Sequence, residues 1–300
     1  MVIAYYPGCT AKSNARNLEI STLAVAKALA IDIKEVPSWT CCGTVYSLAT
    51  DNLMNMVAPI RNLLKVQEMG ADRVFTLCSM CWNTLKRVNE YVRANPDKLE
   101  TINLFMDDEE DYRAEVEVVH FMEVLRDEIG FENLATKVVK PLRDLKLVPY
   151  YGCLLVRPEE IALDDRENPL IMDDLLRSLG AEVINDPMKT ECCGSYQTVT
   201  EKEAVAERTY RIISSAVRRG GDALALTCPL CRFNLDSRQA DTESYYPGFQ
   251  KLPVFYFTQL LALAVGLSKE ECGLDLHYVD PVSLLESKKF FKSIGLKAKV

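Results

Sequence analysis

Two adjacent cysteines, Cys41 and Cys42 in "TCCGT", return as Cys192 and Cys193 in "ECCGS", and this recurrence constrains the whole chain. Cys9, Cys41, Cys42, Cys78 and Cys81 form C-x31-CC-x35-C-x2-C, and Cys153, Cys192, Cys193, Cys228 and Cys231 form C-x38-CC-x34-C-x2-C. The flanks repeat as well: "YYPGC" against "YYGC", and "TLCSMCWNTL" against "LTCPLCRFNL". The 300 residues therefore hold two copies of one unit.

Each copy alternates strand-like and helix-like segments. Residues 2–6, 32–36, 73–77 and 115–121 read as strands rich in β-branched and aromatic residues, as do 147–151, 181–185, 223–227 and 253–257. Leu53, Met56, Val57, Ile60 and Leu64 recur at helical spacing, as do Val205, Tyr210, Ile213 and Val217. The expectation is an α/β fold of two homologous halves related by a pseudo-two-fold, each a small parallel sheet flanked by helices. The division falls near "KPLRDLK" (140–146), giving domains 1–143 and 144–300.

On this scheme Cys9 and Cys153 follow the first strands, the doublets the second strands, and each C-x2-C the third. The carboxyl ends of parallel strands form the ligand edge, so five thiols per half meet one rim. The last pair opens a helix, where thiolates are favoured; Pro229 suits its first turn. Gly43 and Gly194, after the doublets, fit a left-handed backbone or a close approach to a bound group.

A net charge of -8 argues against nucleic acid, and no apolar run is long enough to span a membrane. The start "MVIAYYPGC" reads as a strand rather than a signal peptide, so a cytoplasmic location is expected. There, eleven cysteines point to metal or redox chemistry rather than disulfides. A structural zinc needs four ligands and leaves one thiol per half unused. A redox dithiol needs only "CSMC" or "CPLC". An iron–sulfur cluster, larger and thiolate-loving, accommodates neighbouring sulfurs of a doublet.

With glycine after each doublet, the twice-repeated pattern resembles the cysteine-rich CCG domain, and the pair of copies resembles the B subunit of heterodisulfide reductase from methanogenic archaea. The resemblance implies a non-cubane 4Fe-4S cluster at each set of five cysteines and reduction of the coenzyme M–coenzyme B disulfide to two thiols. It also implies partners: a flavin-bearing A subunit and a C subunit with ferredoxin-type clusters, often with a hydrogenase or formate dehydrogenase. The chain has neither G-x-G-x-x-G nor C-x2-C-x2-C-x3-C, so its electrons come from elsewhere. Two other readings stand beside this one: an electron-transfer subunit of a related dehydrogenase acting on glycolate, lactate, glycerol 3-phosphate or succinate, and a zinc-stapled scaffold.

Weaker signals remain. His120 ends a strand at the cluster edge and is a candidate proton donor, although Tyr256 is its repeat counterpart and a structural histidine is the plainer reading. His277 is expected to be inert in the tail. Lys12, Lys86, Arg87 and Arg232 follow ligand cysteines and are candidates for binding substrate anions, or simple surface charges. Tyr5, Tyr6, Tyr150 and Tyr151 read as strand core, Trp39 and Trp82 as walls against water, and Cys272 as a buried free thiol. The basic tail from 280 is a solvated extension or a docking segment.

Overall fold

The structure, a computed structural model, describes residues 2–44 and 52–291. In the first half, strands β1 (Val2–Tyr6), β2 (Asp32–Glu35), β3 (Arg73–Thr76) and β4 (Glu117–His120) pair in the order β2-β1-β3-β4, all parallel. In the second, β5 (Lys146–Pro149), β6 (Glu182–Val183), β7 (Ala223–Leu226) and β8 (Val254–Tyr256) repeat that order as β6-β5-β7-β8, also parallel. The expected fold class is what forms. β6 is shorter than the 181–185 expected from sequence, only two residues pairing with β5.

Helices α1 (Gly8–Ala11), α2 (Arg16–Ala28), α3 (Met54–Glu68), α4 (Ser79–Ala94), α5 (Pro96–Phe105), α6 (Phe121–Val124) and α7 (Phe131–Thr136) serve the first half. The second carries α8 (Ile171–Ser178), α9 (Lys202–Arg218), α10 (Pro229–Arg232), α11 (Gln239–Tyr245), α12 (Phe257–Ala264) and α13 (Val282–Ser287). The apolar stripes read from sequence face inward: Ile60 and Leu64 of α3 and Val205 and Ile213 of α9 are buried.

Two differences between the copies lie next to the cysteines. The helix opened by Ser79 runs unbroken for sixteen residues, whereas its counterpart α10 passes after one turn into a π-helical turn, Phe233–Ser237. And α2 has no helical counterpart of its length after Cys153, where residues 153–170 are irregular apart from one 3-10 turn.

One continuous core runs through both halves. α2 lies against α12, where Ser21 Oγ and Thr258 Oγ1 are 2.7 Å apart and buried. Asn83 of α4 donates to the carbonyls of Leu154 (2.8 Å) and Arg157 (2.7 Å), tying the first half to the loop after Cys153. The described part of the basic tail is not a solvated extension: Leu285 and Phe290 are buried, and Lys288 pairs with Asp222 at 2.9 Å. Residues 292–300 of that tail lie outside the described residues.

Candidate redox site at the thiol seam

In each sheet the strand order reverses between the first and third strands, β1 and β3 or β5 and β7, which opens a crevice at their carboxyl ends. The sequence puts thiols there. Cys9 sits in α1 directly after β1, and Cys78 and Cys228 are the N-cap residues of α4 and α10.

The ten predicted cysteines come together in a nearly continuous row. Sulfur–sulfur distances are 4.0 Å for Cys9–Cys41, 3.5 Å for Cys42–Cys81 and 3.4 Å for Cys193–Cys231. Cys153 lies close enough to Cys192 for their charges to couple, and so does Cys78 to Cys228, where the adjacent Ser79 Oγ and Thr227 Oγ1 are 2.5 Å apart. That last contact joins the halves, so two sets of five meet at one seam. Among the described residues, no three Cys, His, Asp or Glu side chains converge on a single ion-sized point. The sulfurs instead run side by side in close pairs along the row.

Crowding forces alternate charge states. Hydrogen bonds from Cys41 and Cys81 lower the Cys42 thiol to about 4, and one from Cys153 lowers Cys192 to about 6. Cys228 also moves down, held by Cys231 and Cys78. Their partners Cys41, Cys78, Cys81, Cys153 and Cys231 move up, chiefly because each gives the proton in such a pair, with burial adding to it. Neighbouring thiolates repel, so the row ionises fully only around a cationic centre. Soft, multinuclear metal chemistry fits this donor set.

The surrounding residues hold the row in place by matched devices. Tyr6 donates to the Thr40 carbonyl at 2.7 Å and Tyr150 to the Glu191 carbonyl at 2.6 Å, each just before a doublet. Asn62 accepts from the Thr40 amide at 2.8 Å, and buried Asn234 donates to the Cys193 carbonyl at 2.9 Å. Gly43 and Gly194 are left-handed, with φ of 81° and 76°. The closest approach belongs to two other glycines: a Cβ on Gly8 would lie 2.8 Å from Cys81 Sγ, and one on Gly152 would lie 3.2 Å from Cys231 Sγ. These tyrosines and glycines were visible as the repeated "YYPGC" and "YYGC", yet neither role could be read without the fold.

Trp82 is fully buried and donates to Glu123 at 3.2 Å; Trp39 donates to Glu35 at 3.0 Å and packs edge-on to Tyr6. Cys272 is buried away from the row, its thiol pushed up to about 12 by burial.

Most of the remaining candidates are engaged within the fold. His120 is fully buried; Nε2 donates to the Leu77 carbonyl (3.0 Å) and Nδ1 accepts from the Met122 amide (3.2 Å). Burial lowers it to about 4, and both ring nitrogens are taken up within the fold, one of them capping the helix that follows. His277 is not a loose tail residue either. Its side chain is 1 % exposed, 3.0 Å from Gln259 Nε2 and 3.7 Å from Asp236.

Three of the four cations are already engaged. Lys12 pairs with Glu19 (2.6 Å) and Glu35 (2.7 Å), and Lys86 lies over the Trp82 ring, 3.8 Å from Glu123. Arg232 is buried, paired with Asp236 at 3.0 Å and donating to the carbonyls of Asn14 and Leu276. It is neither a surface charge nor open to a substrate anion. Arg87 is half-buried on α4.

Fold and site together define a duplicated α/β protein whose two thiol sets share one seam. The chain belongs to the CCG cysteine-rich domain family, which it matches over residues 3–86 and 147–236. It is 31% identical over 284 residues to the 8-methylmenaquinol:fumarate reductase membrane anchor subunit of Wolinella succinogenes, covering 94% of this chain and 98% of that protein. It is 28% identical over 302 residues to the B subunit of the ferredoxin/F420H2-dependent CoB-CoM heterodisulfide reductase of Methanosarcina acetivorans, covering 98% and 99%. A crystal structure of a hypothetical protein from Helicobacter pylori shares the fold, with a TM-score of 0.72 and 14% identity over 92% of this chain; the chain spans 51% of that one. Among the described residues no helix is long and apolar enough to cross a membrane.

Proposed function

We propose that the chain is the redox subunit of a multi-subunit oxidoreductase, with one iron–sulfur cluster held by Cys9, Cys41, Cys42, Cys78 and Cys81 and a second by Cys153, Cys192, Cys193, Cys228 and Cys231. The cluster-holding units are residues 1–143 and 144–300. Five thiolates per half exceed the four that a regular cube takes, which favours non-cubane four-iron clusters. When bound, the clusters would each supply one electron and a Lewis-acidic iron.

The compound reduced is, on this reading, a disulfide: R–S–S–R′ takes two electrons and two protons and leaves as two thiols. The observation that supports the reading is the closeness of Cys78 and Cys228 across the halves, since two one-electron centres held at that junction would together supply the two electrons a disulfide needs. The chain's own contribution is positional. Tyr6, Tyr150, Asn62 and Asn234 fix the doublets, and buried Trp82 keeps water from the row. By analogy with heterodisulfide reductase, a flavin-carrying partner and one with ferredoxin-type clusters would deliver the electrons, drawn in turn from a hydrogenase or formate dehydrogenase.

A second reading has its own support. A relative at 31% identity is named for a menaquinol-linked fumarate reductase, and Lys12, Lys86 and Arg232 are engaged by carboxylates, leaving them ill-suited to an anionic disulfide. On that reading the seam exchanges electrons with a quinone. One experiment separates them. The anaerobically purified, oxidised protein is given coenzyme M, coenzyme B or a reduced menaquinone analogue in turn, and the paramagnetic spectrum is recorded. A thiol-dependent signal supports the disulfide; a signal raised only by the quinol supports the second reading.

A further inference from the structure

Tyr256 ends β8, paired in register with Leu226, two residues before Cys228, at the place His120 holds in the first half. The two differ in how their polar atoms are used. Both ring nitrogens of His120 are bonded within the fold, one of them to the carbonyl just before Cys78. The Tyr256 side chain is 0% exposed, and among the described residues its hydroxyl has no hydrogen-bond partner. A buried hydroxyl left alone is costly, and native folds leave few of them. Cys228 and Cys78, the two thiols that meet at the seam, both lie within electrostatic reach of it. A phenol also extends further from the backbone than an imidazole, past the level of the carbonyl that His120 uses.

We propose that the Tyr256 hydroxyl donates a hydrogen bond to a sulfur at the seam, that of Cys228 or Cys78 or an inorganic sulfide bound beside them. Its function is to make the two halves unequal: a hydrogen bond to a ligand sulfur stabilises the reduced, more negative state of that centre. The equivalent position in the first half offers no such donor, because His120 is committed to backbone. Tyr256 is thus a positioning residue that biases electrons toward the centre it touches. The inference rests on the iron–sulfur reading above.

The test is Tyr256→Phe in the full chain, purified anaerobically, with iron and sulfide assay followed by a potentiometric titration read by electron paramagnetic resonance. The expected result is unchanged iron content and a downward shift of one midpoint potential, by a tenfold or larger change in the reduction equilibrium (59 mV for one electron), with the other midpoint unmoved. Equal potentials in iron-loaded parent and variant overturn the inference and leave the cluster reading intact. A parent without iron overturns both. Should the phenylalanine variant alone fail to load iron, ring-fluorinated tyrosine at position 256 keeps the hydroxyl and strengthens it as a donor. An upward shift of one midpoint then supports the proposal, and no shift overturns it.

Discussion

Gly8 and Gly152 have left-handed φ angles of 72° and 65°, and each faces a ligand-set sulfur where a methyl would intrude. Gly8→Ala is expected to lose at least half of the bound iron and about 1–3 kcal/mol of stability, measured by metal assay and thermal unfolding. Gly152→Ala, with its slightly longer contact, should follow in the same direction. A second prediction concerns the buried histidines. Burial lowers His277 to about 3 and His120 to about 4, so both are neutral in the native state. The unfolded chain takes up protons below about 6.5 that the native state refuses, so stability falls as pH drops from there toward 4. The loss reaches about 1.4 kcal/mol per pH unit for each histidine. Urea unfolding at pH 7 and pH 5 should show a smaller drop for His277→Gln than for the parent. At this scale the ten seam cysteines were legible, because their spacing repeats. The engagement of Arg232 and His277 was not, since their partner Asp236 and the carbonyl of Leu276 are brought to them only by the π-helical turn and the folded-back tail.

Strands and the long helices were readable from alternation and helical spacing: "VIAYY" joins the sheet whole, whereas of "EVEVVHF" only Glu117–His120 does, Phe121 opening a helix instead. What local sequence did not reveal is the divergence of the copies after Cys153 and after Cys231. There the choice between helix and irregular chain is made by tertiary contacts, such as Asn83 capturing two carbonyls of the loop. The α2–α12 contact offers a clean test of how the halves adhere. Ser21→Ala strands the buried Thr258 hydroxyl and should cost about 1–2 kcal/mol. Adding Thr258→Val should recover part of that loss, giving a coupling energy of about 0.5–1.5 kcal/mol in a double-mutant cycle of denaturant unfolding.

For the whole molecule, duplication was plain in the sequence, but the way the copies face each other was not. Nothing in "TLCSMC" or "LTCPLC" announces that Ser79 Oγ and Thr227 Oγ1 will lie 2.5 Å apart, or that Cys78 will meet Cys228 beside them. The core is shared: His120 and Phe121 pack on Phe257 across the halves. Residues 1–143 or 144–300 expressed alone should therefore aggregate or unfold without a cooperative transition, while co-expression of the two should yield a soluble complex, checked by gel filtration and circular dichroism. The same duplication gives the cofactor expectation its arithmetic, five thiols twice over. Metal and acid-labile sulfide analysis of the anaerobically purified full chain tests this most directly. The account predicts about eight irons per chain with matching sulfide; one or two zincs without iron would contradict it.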